Sequence, residues 1–180
     1  MPLVSEMLLC RIVDNFLIYV TELMTLIFRT KPETLKSSKE NVTFEFVLEH
    51  VALQDLVDAM VDRRVNELSY RGMRALSEYL GRNLGFDLFP DETKLARAVT
   101  LVEMRNLVVH NRGIINKTFL SRVSGTSHIV DTRLEISQAL ADEAFQFLQE
   151  SVADIDERSA KKFALPGARK PEIKLLLGNL

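Results

Sequence analysis

Three polar side chains with complementary chemistry lie close together in one short segment of the sequence. Arg105, Asn106 and His110 interrupt a stretch of otherwise apolar, helix-forming residues. In a helix, Asn106 and His110 are neighbours on one face, and Arg105 lies about 100° around the axis from Asn106. A guanidinium binds phosphate through two parallel N–H donors, and an imidazole titrates near pH 7 and can transfer a proton. The pattern therefore indicates a phosphate site with an acid/base group.

The same residues also allow a purely structural interpretation. A buried hydrogen bond between Asn106 and His110 would satisfy both groups without any chemistry. Arg105 would then pair with a carboxylate, either Glu103 or one on the last helix. Gly113 predicts a helix end just after His110, where the helix dipole favours a protonated imidazole. Taken alone, the residues leave both interpretations open.

The segment resembles the motif of a known family. Arg105-Asn106-x-x-x-His110 matches the Arg-Asn/His-x-x-x-His signature of HEPN domains (higher eukaryotes and prokaryotes nucleotide-binding). The residues that follow, up to Asn116, are similar to the His-Asn-x-Gly-Ile-Val-Asn run of several prokaryotic HEPN groups, some with roles in defence and stress. The resemblance covers residues 5–163. It implies a metal-independent endoribonuclease that works as a homodimer, with both motif helices lining one cleft.

The resemblance also implies a reaction and a role for each motif residue. The 2′-hydroxyl of RNA attacks the adjacent phosphorus, which yields a 2′,3′-cyclic phosphate and a 5′-hydroxyl. His110 would be the general acid/base, Arg105 would bind the scissile phosphate and stabilise its developing charge, and Asn106 would orient one of these two. Glu103 would hold Arg105. The candidate substrate-binding residues are Glu103, Asn111, Arg112 and Lys117, and no cofactor or metal is implied.

The implied partners are an RNA substrate, a second copy of the chain, and an antitoxin or another regulatory protein. HEPN toxins paired with a minimal nucleotidyltransferase often carry Tyr two residues after the motif His, where this chain has Arg112. The sequence therefore does not predict an antitoxin that modifies such a tyrosine. An alternative function is a non-catalytic HEPN module that binds RNA, nucleotide or a protein partner.

Length and composition restrict the class of protein. The 180 residues, 47% hydrophobic and 27% charged, predict one soluble domain over 1–163, HEPN-like and helical, followed by a tail over 164–180. The net charge of −2 argues against wholesale electrostatic binding to nucleic acid but not against a local basic site. A single cysteine, Cys10, excludes an intrachain disulfide and a cysteine-based zinc site. With no signal-like or membrane-spanning segment, we expect a cytoplasmic protein without membrane contact.

Apolar spacing predicts an all-α bundle of about five main helices with an irregular loop near 121–136. Ser5 and Asp91 are expected to cap helix starts, and Gly85 and Gly113 to end helices. The predicted helices span about 5–29, 44–68 with a bend near 50–53, 70–84, 91–113 and 137–162. The predicted buried faces are Leu8, Ile12, Phe16, Tyr19, Leu23, Leu26 and Ile27 in the first helix, and Leu95, Val99, Val102 and Val109 in the fourth.

Weaker candidates lie outside the motif. Asp55, Asp58 and Asp62 share a helix face that could hold a hard cation, although we interpret this row as a solvated surface. His128, in the irregular loop, is interpreted as an ordinary surface histidine that could contact RNA. Cys10, on an apolar helix, is expected to be an inert core residue.

Overall fold

The protein is described by a computed structural model that covers residues 2–35, 41–123, 125 and 127–165. Within these ranges the chain is all-helical, as predicted, with seven α-helices, one 3-10 turn at Pro32–Leu35 and no strand. Five helices have twelve residues or more, and two are shorter. The helices are α1 (Pro2–Thr30), α2 (Phe44–Leu48), α3 (Leu53–Tyr70), α4 (Met73–Leu84), α5 (Glu92–Asn111), α6 (Lys117–Arg122) and α7 (Gln138–Phe163).

Helix α1 is the centre of the bundle and packs against α3, α5 and α7. It begins at Pro2, because proline is well tolerated in a first helical turn, where its missing N–H has no helical partner. The prediction that Ser5 is the N-cap is therefore wrong: Ser5 lies inside the helix and is buried. Leu8 and Leu26, predicted to be buried, are exposed. The buried face instead contains Leu9, Val13, Phe16, Val20, Leu23, Met24, Ile27 and Phe28.

The predicted bend in the second helical stretch is a full break. Residues 49–52 separate α2 from α3, and α2 buries none of its side chains. After α3, Gly72 has a φ of 83°, which delays the start of α4 to Met73. Gly85 ends α4 in the left-handed conformation, as predicted.

The expected cap of α5 is confirmed, and α7 also has a side-chain cap. Asp91 Oδ1 accepts a hydrogen bond from the Thr93 N–H at 2.8 Å, and the Thr93 hydroxyl also donates to it, which lowers the pKa of Asp91. Ser137 caps α7 by accepting from the N–H of Leu140. Along α5, Leu95, Val99 and Val102 are buried as expected, whereas Val109 is exposed.

The segment after α5 is more ordered than the sequence predicts. Arg112 and Gly113 both adopt positive φ and end α5 at Asn111, so that Gly113 ends this helix as expected. The short helix α6 then forms where no helix was predicted, because the Asn116 side chain caps it and Phe119 anchors it in the core. An isolated antiparallel bridge between Ile114 and Arg133 ties this segment to the irregular loop.

The last part of the chain is the predicted tail over 164–180. Leu165 packs against the core after α7. Residues 166–180, whose leucines were expected to dock or to form an apolar patch, lie outside the described residues. Among the helices described, none combines the length and apolar character needed to cross a membrane.

Candidate functional site

The three motif residues line one cavity of about 580 Å³. Helices α5 and α6 contribute its polar side chains, among them Arg105, Asn106, His110, Asn111 and Arg122. Helices α1, α3 and α4 contribute mainly apolar side chains: Leu17, Val20, Met24, Leu68, Met73 and Leu76. The chemistry-bearing residues therefore face a space between helices that is large enough for a small ligand.

Arg105 is held by two neighbours in a defined orientation. Its Nε donates to Asp14 Oδ1 of α1 at 2.7 Å, and its Nη1 donates to Asn106 Oδ1 at 3.1 Å. The side chain keeps 24% of its surface exposed. Among the described residues, Nη2 has no hydrogen-bond partner. The guanidinium is therefore fixed in place while part of its donor edge remains accessible to a ligand.

These contacts overturn the predicted partners of Arg105. Neither Glu103 nor a carboxylate of the last helix pairs with it; the partner is Asp14. Glu103 is itself buried and accepts instead from Nη1 of Arg122 at 3.0 Å. The reason is the unpredicted helix α6, which brings Arg122 over α5, while the packing of α1 on α5 brings Asp14 to Arg105.

His110 lies in the last turn of α5 with an exposed side chain that lines the cavity. The hydrogen bond to Asn106 expected in the structural interpretation is not formed; the Asn106 carboxamide oxygen accepts from Arg105. Within the described part of the chain, no residue hydrogen-bonds to the imidazole. Both ring nitrogens are therefore available for proton transfer with a ligand.

The four predicted substrate-binding residues have different locations. Glu103 and Asn111 line the cavity, and the Asn111 side chain also donates to the Ile114 carbonyl across the turn after α5. Arg112 and Lys117 are both exposed and do not line the cavity. Arg112 is the C-cap residue of α5, and Lys117 begins α6.

Three residues of the site were missed at the level of sequence. Asp14 was visible only as a charge interrupting the apolar first helix, and Arg122 only as one base in the patch around the motif. Tyr70, which lines the cavity from the end of α3, gave no signal at all. In each case the information lies in which helices pack together.

Comparison of the chain with protein-family models, with curated proteins and with solved structures gave no match.

The candidates outside the motif have ordinary structural environments. Asp58, from the acidic row of α3, pairs with Arg29 at 2.9 Å. Among the described residues, no group of three or more histidine, cysteine, aspartate or glutamate side chains could hold a metal ion. Cys10 is partly buried, and its pKa is raised, first by burial and then by the Asp14 carboxylate, while Arg105 opposes the shift. The thiol is therefore less ionised than an ordinary cysteine.

The cavity offers an anion unused N–H donors at one position. Both cavity arginines have a carboxylate partner, Asp14 for Arg105 and Glu103 for Arg122. Arg105 uses Nε for this pairing, which leaves Nη2 and the second N–H of Nη1 without a partner among the described residues. A phosphate can accept from those nitrogens while Asp14 stays bound. Together with an accessible imidazole five residues further along α5, this geometry can bind a phosphodiester and move a proton beside it.

Proposed function

We propose that the protein is a metal-independent endoribonuclease of the HEPN type. The observation that carries the proposal is the shared cavity of Arg105 and His110, in which Asp14 holds the guanidinium by Nε and the imidazole has no partner among the described residues.

In the proposed reaction, Arg105 binds the nonbridging oxygens of the scissile phosphate and stabilises their charge as it develops. The 2′-oxygen attacks phosphorus, and the bond from phosphorus to the 5′-oxygen breaks. His110 accepts the proton of the 2′-hydroxyl or donates one to the departing 5′-oxygen. The products are a 2′,3′-cyclic phosphate and a 5′-hydroxyl. Asn106, bonded to Arg105, keeps the guanidinium aligned.

A second copy of the chain would supply the other proton-transfer group. One imidazole can act as base or as acid in a single step, and a two-fold axis beside the motif would bring a second His110 to the same phosphate. Exposed apolar side chains at this end of the bundle support such an interface. They are Leu3, Val4, Met7 and Leu8 at the start of α1 and Val109 beside His110.

The start of α1 and the end of α5 are neighbours in the structure. Arg133 pairs with Glu6 of α1 at 2.9 Å and also forms the bridge to Ile114, three residues beyond the end of α5. A contact between copies through the exposed apolar residues would therefore lie near the motif. In this proposal the enzyme is a cytoplasmic toxin or defence effector whose activity an antitoxin or another regulatory protein controls.

A non-catalytic module that binds RNA, nucleotide or a protein partner is the second candidate. The observation in its favour is that both cavity arginines already have carboxylate partners. The role of these ion pairs would then be purely structural: they would hold α1, α5 and α6 together. In that case the cavity would bind its ligand without breaking a bond.

Incubation of the purified protein with total RNA, followed by gel electrophoresis and end-group analysis, tests the proposal. We expect wild type to produce fragments with 2′,3′-cyclic phosphate and 5′-hydroxyl ends, and His110→Ala to be slower by about 100-fold or more. His128→Ala is the matched control, because His128 is also an exposed histidine but lies outside the cavity. Binding of RNA by wild type without cleavage would support the second candidate, and full activity of His110→Ala would end the catalytic assignment.

A further inference from the structure

Tyr70 is 92% exposed although it lines the same cavity as His110. A residue with so much exposed surface buries almost no apolar area on folding, so packing does not explain the position of Tyr70. Aromatic side chains beside phosphate-binding groups stack on unpaired bases, and this stacking tolerates any base because every base has a π-face. The location of Tyr70 therefore points to the base of a nucleotide rather than to its phosphate.

The backbone presents Tyr70 from an ordered position. It is the last residue of α3, and the next residue, Arg71, forms an ion pair with Glu67 one turn earlier. Ser69 also lines the cavity, and its hydroxyl donates to the Val65 carbonyl at 2.8 Å. The end of α3 is thus fixed on both sides of Tyr70, which reduces the entropy lost when a ligand stacks on the ring.

The two kinds of cavity wall match the two ends of a nucleotide. Helix α5 supplies the cation and the imidazole at Arg105 and His110, whereas α1, α3 and α4 supply mainly apolar side chains. A phosphate needs the first wall, and on the second wall Leu17 and Tyr70 keep exposed surface that the flat face of a base can contact. The volume of about 580 Å³ falls within the range of roughly 300–1,000 Å³ found for small-molecule sites.

We propose that Tyr70 and Leu17 form a base-binding subsite, so that the protein takes single-stranded RNA. The subsite rests on the proposed function, because it places one base beside the phosphate that Arg105 binds. In a duplex the bases are paired and stacked on each other and cannot reach the ring. Tyr70 is a specificity residue in this proposal and takes no part in proton transfer.

Fluorescence anisotropy with an RNA that cannot be cleaved tests the subsite. The probes are a short labelled 2′-O-methyl single strand and its duplex, titrated with wild type, Tyr70→Ala, Tyr70→Phe and Phe44→Ala. Phe44 is the matched control, since its ring is 77% exposed but does not line the cavity. We expect Tyr70→Ala to weaken binding of the single strand by roughly 10-fold, within the range measured for one base–aromatic stack. Tyr70→Phe and Phe44→Ala should bind like wild type.

Removal of single bases from the probe distinguishes stacking from an indirect effect. Wild type should lose affinity when one particular position of the strand is made abasic, and Tyr70→Ala should be insensitive to the same change. Equal binding by wild type and Tyr70→Ala, with binding lost in Arg105→Ala, would overturn the subsite and leave the proposed ribonuclease standing. So would tighter binding of the duplex than of the single strand. Absence of RNA binding and cleavage in wild type would overturn both proposals.

Discussion

Asp14 of α1 and Arg105 of α5 are 91 residues apart in sequence, and their side chains form a hydrogen-bonded ion pair of 2.7 Å. The contact uses Nε of the guanidinium, which leaves the distal nitrogens for another acceptor. Asp14 and Arg105 keep 34% and 24% of their side-chain surface exposed, so solvent screens the pair and we expect it to contribute about 1 kcal/mol or less to stability. Its main consequence is the orientation of the guanidinium.

Replacement of Asp14 should reduce catalysis more than stability. In Asp14→Ala the guanidinium can rotate, and a displacement of about 1 Å at a reacting group can cost about 100-fold in rate. We expect kcat to fall by about 10- to 100-fold with little change in Tm, and Asp14→Glu to recover part of the loss. Glu22→Gln, at an exposed acidic residue of the same helix, is the control. If Asp14→Ala kept the kcat of wild type, Asp14 would have only a structural role.

Alkylation of Cys10, the chain's single cysteine, reports on the same ion pair without any activity measurement. The Asp14 carboxylate raises the pKa of the Cys10 thiol and Arg105 lowers it, with burial as the largest cause of the net rise. Asp14→Asn should therefore lower the pKa of Cys10 and speed its reaction with iodoacetamide at about pH 8.5, where the fraction of thiolate limits the rate. Arg105→Ala should slow it. Rate changes of the same sign in both variants would contradict this electrostatic arrangement.

Arg105 and His110 should respond differently when substrate binding and cleavage are measured separately. Arg105→Ala should weaken both, because the guanidinium grips phosphate before and during reaction, and Arg105→Lys should not restore wild-type values because it lacks the planar fork. His110→Ala should bind RNA nearly as wild type does, and only its rate of cleavage should fall. The variants must retain helical circular dichroism. Equal loss of binding in Arg105→Ala and His110→Ala would assign both residues to binding alone.

Cleavage should persist in the presence of a chelator. The proposed reaction uses an imidazole and a guanidinium, and the described residues contain no cluster that could hold a metal ion. We expect the same rate in EDTA as in magnesium after correction for ionic strength. If EDTA abolished the activity and a divalent cation restored it, the acid/base assignment would be wrong. Asp55, Asp58 and Asp62 would then be the first residues to replace.

The proposed dimer should depend on the apolar start of α1. Met7→Glu replaces an exposed methionine by a charged residue, so it should leave the fold intact. It should dissociate the dimer, because an unpaired carboxylate is costly in an apolar interface. Light scattering should report a dimer for wild type and a monomer for Met7→Glu, with cleavage reduced in parallel. Leu48→Glu, at an exposed leucine of α2, should remain dimeric. A monomeric wild type at micromolar concentration would favour the binding-module alternative.

Local features of the sequence predicted the helices and their ends well. The caps at Gly85 and Asp91 could be predicted because each acts on backbone groups within a few residues of itself. The shared face of Asn106 and His110 followed from helical periodicity in the same way. Helix α6 was missed because a six-residue segment has too little periodicity to be distinguished from a loop.

The partners of the polar groups were decided by tertiary structure alone. The sequence left Glu103 and a carboxylate of the last helix as candidate partners of Arg105. Packing of α1 against α5 supplied Asp14 instead, and α6 brought Arg122 to Glu103. The amino-acid sequence by itself therefore determined which residues share a helix face and which functional groups the motif carries. Tertiary structure decided which carboxylate orients the guanidinium and placed Tyr70 at the cavity. Both depend on helices that meet only in the folded bundle, because side-chain periodicity carries no information about contacts between residues as far apart as 91 positions.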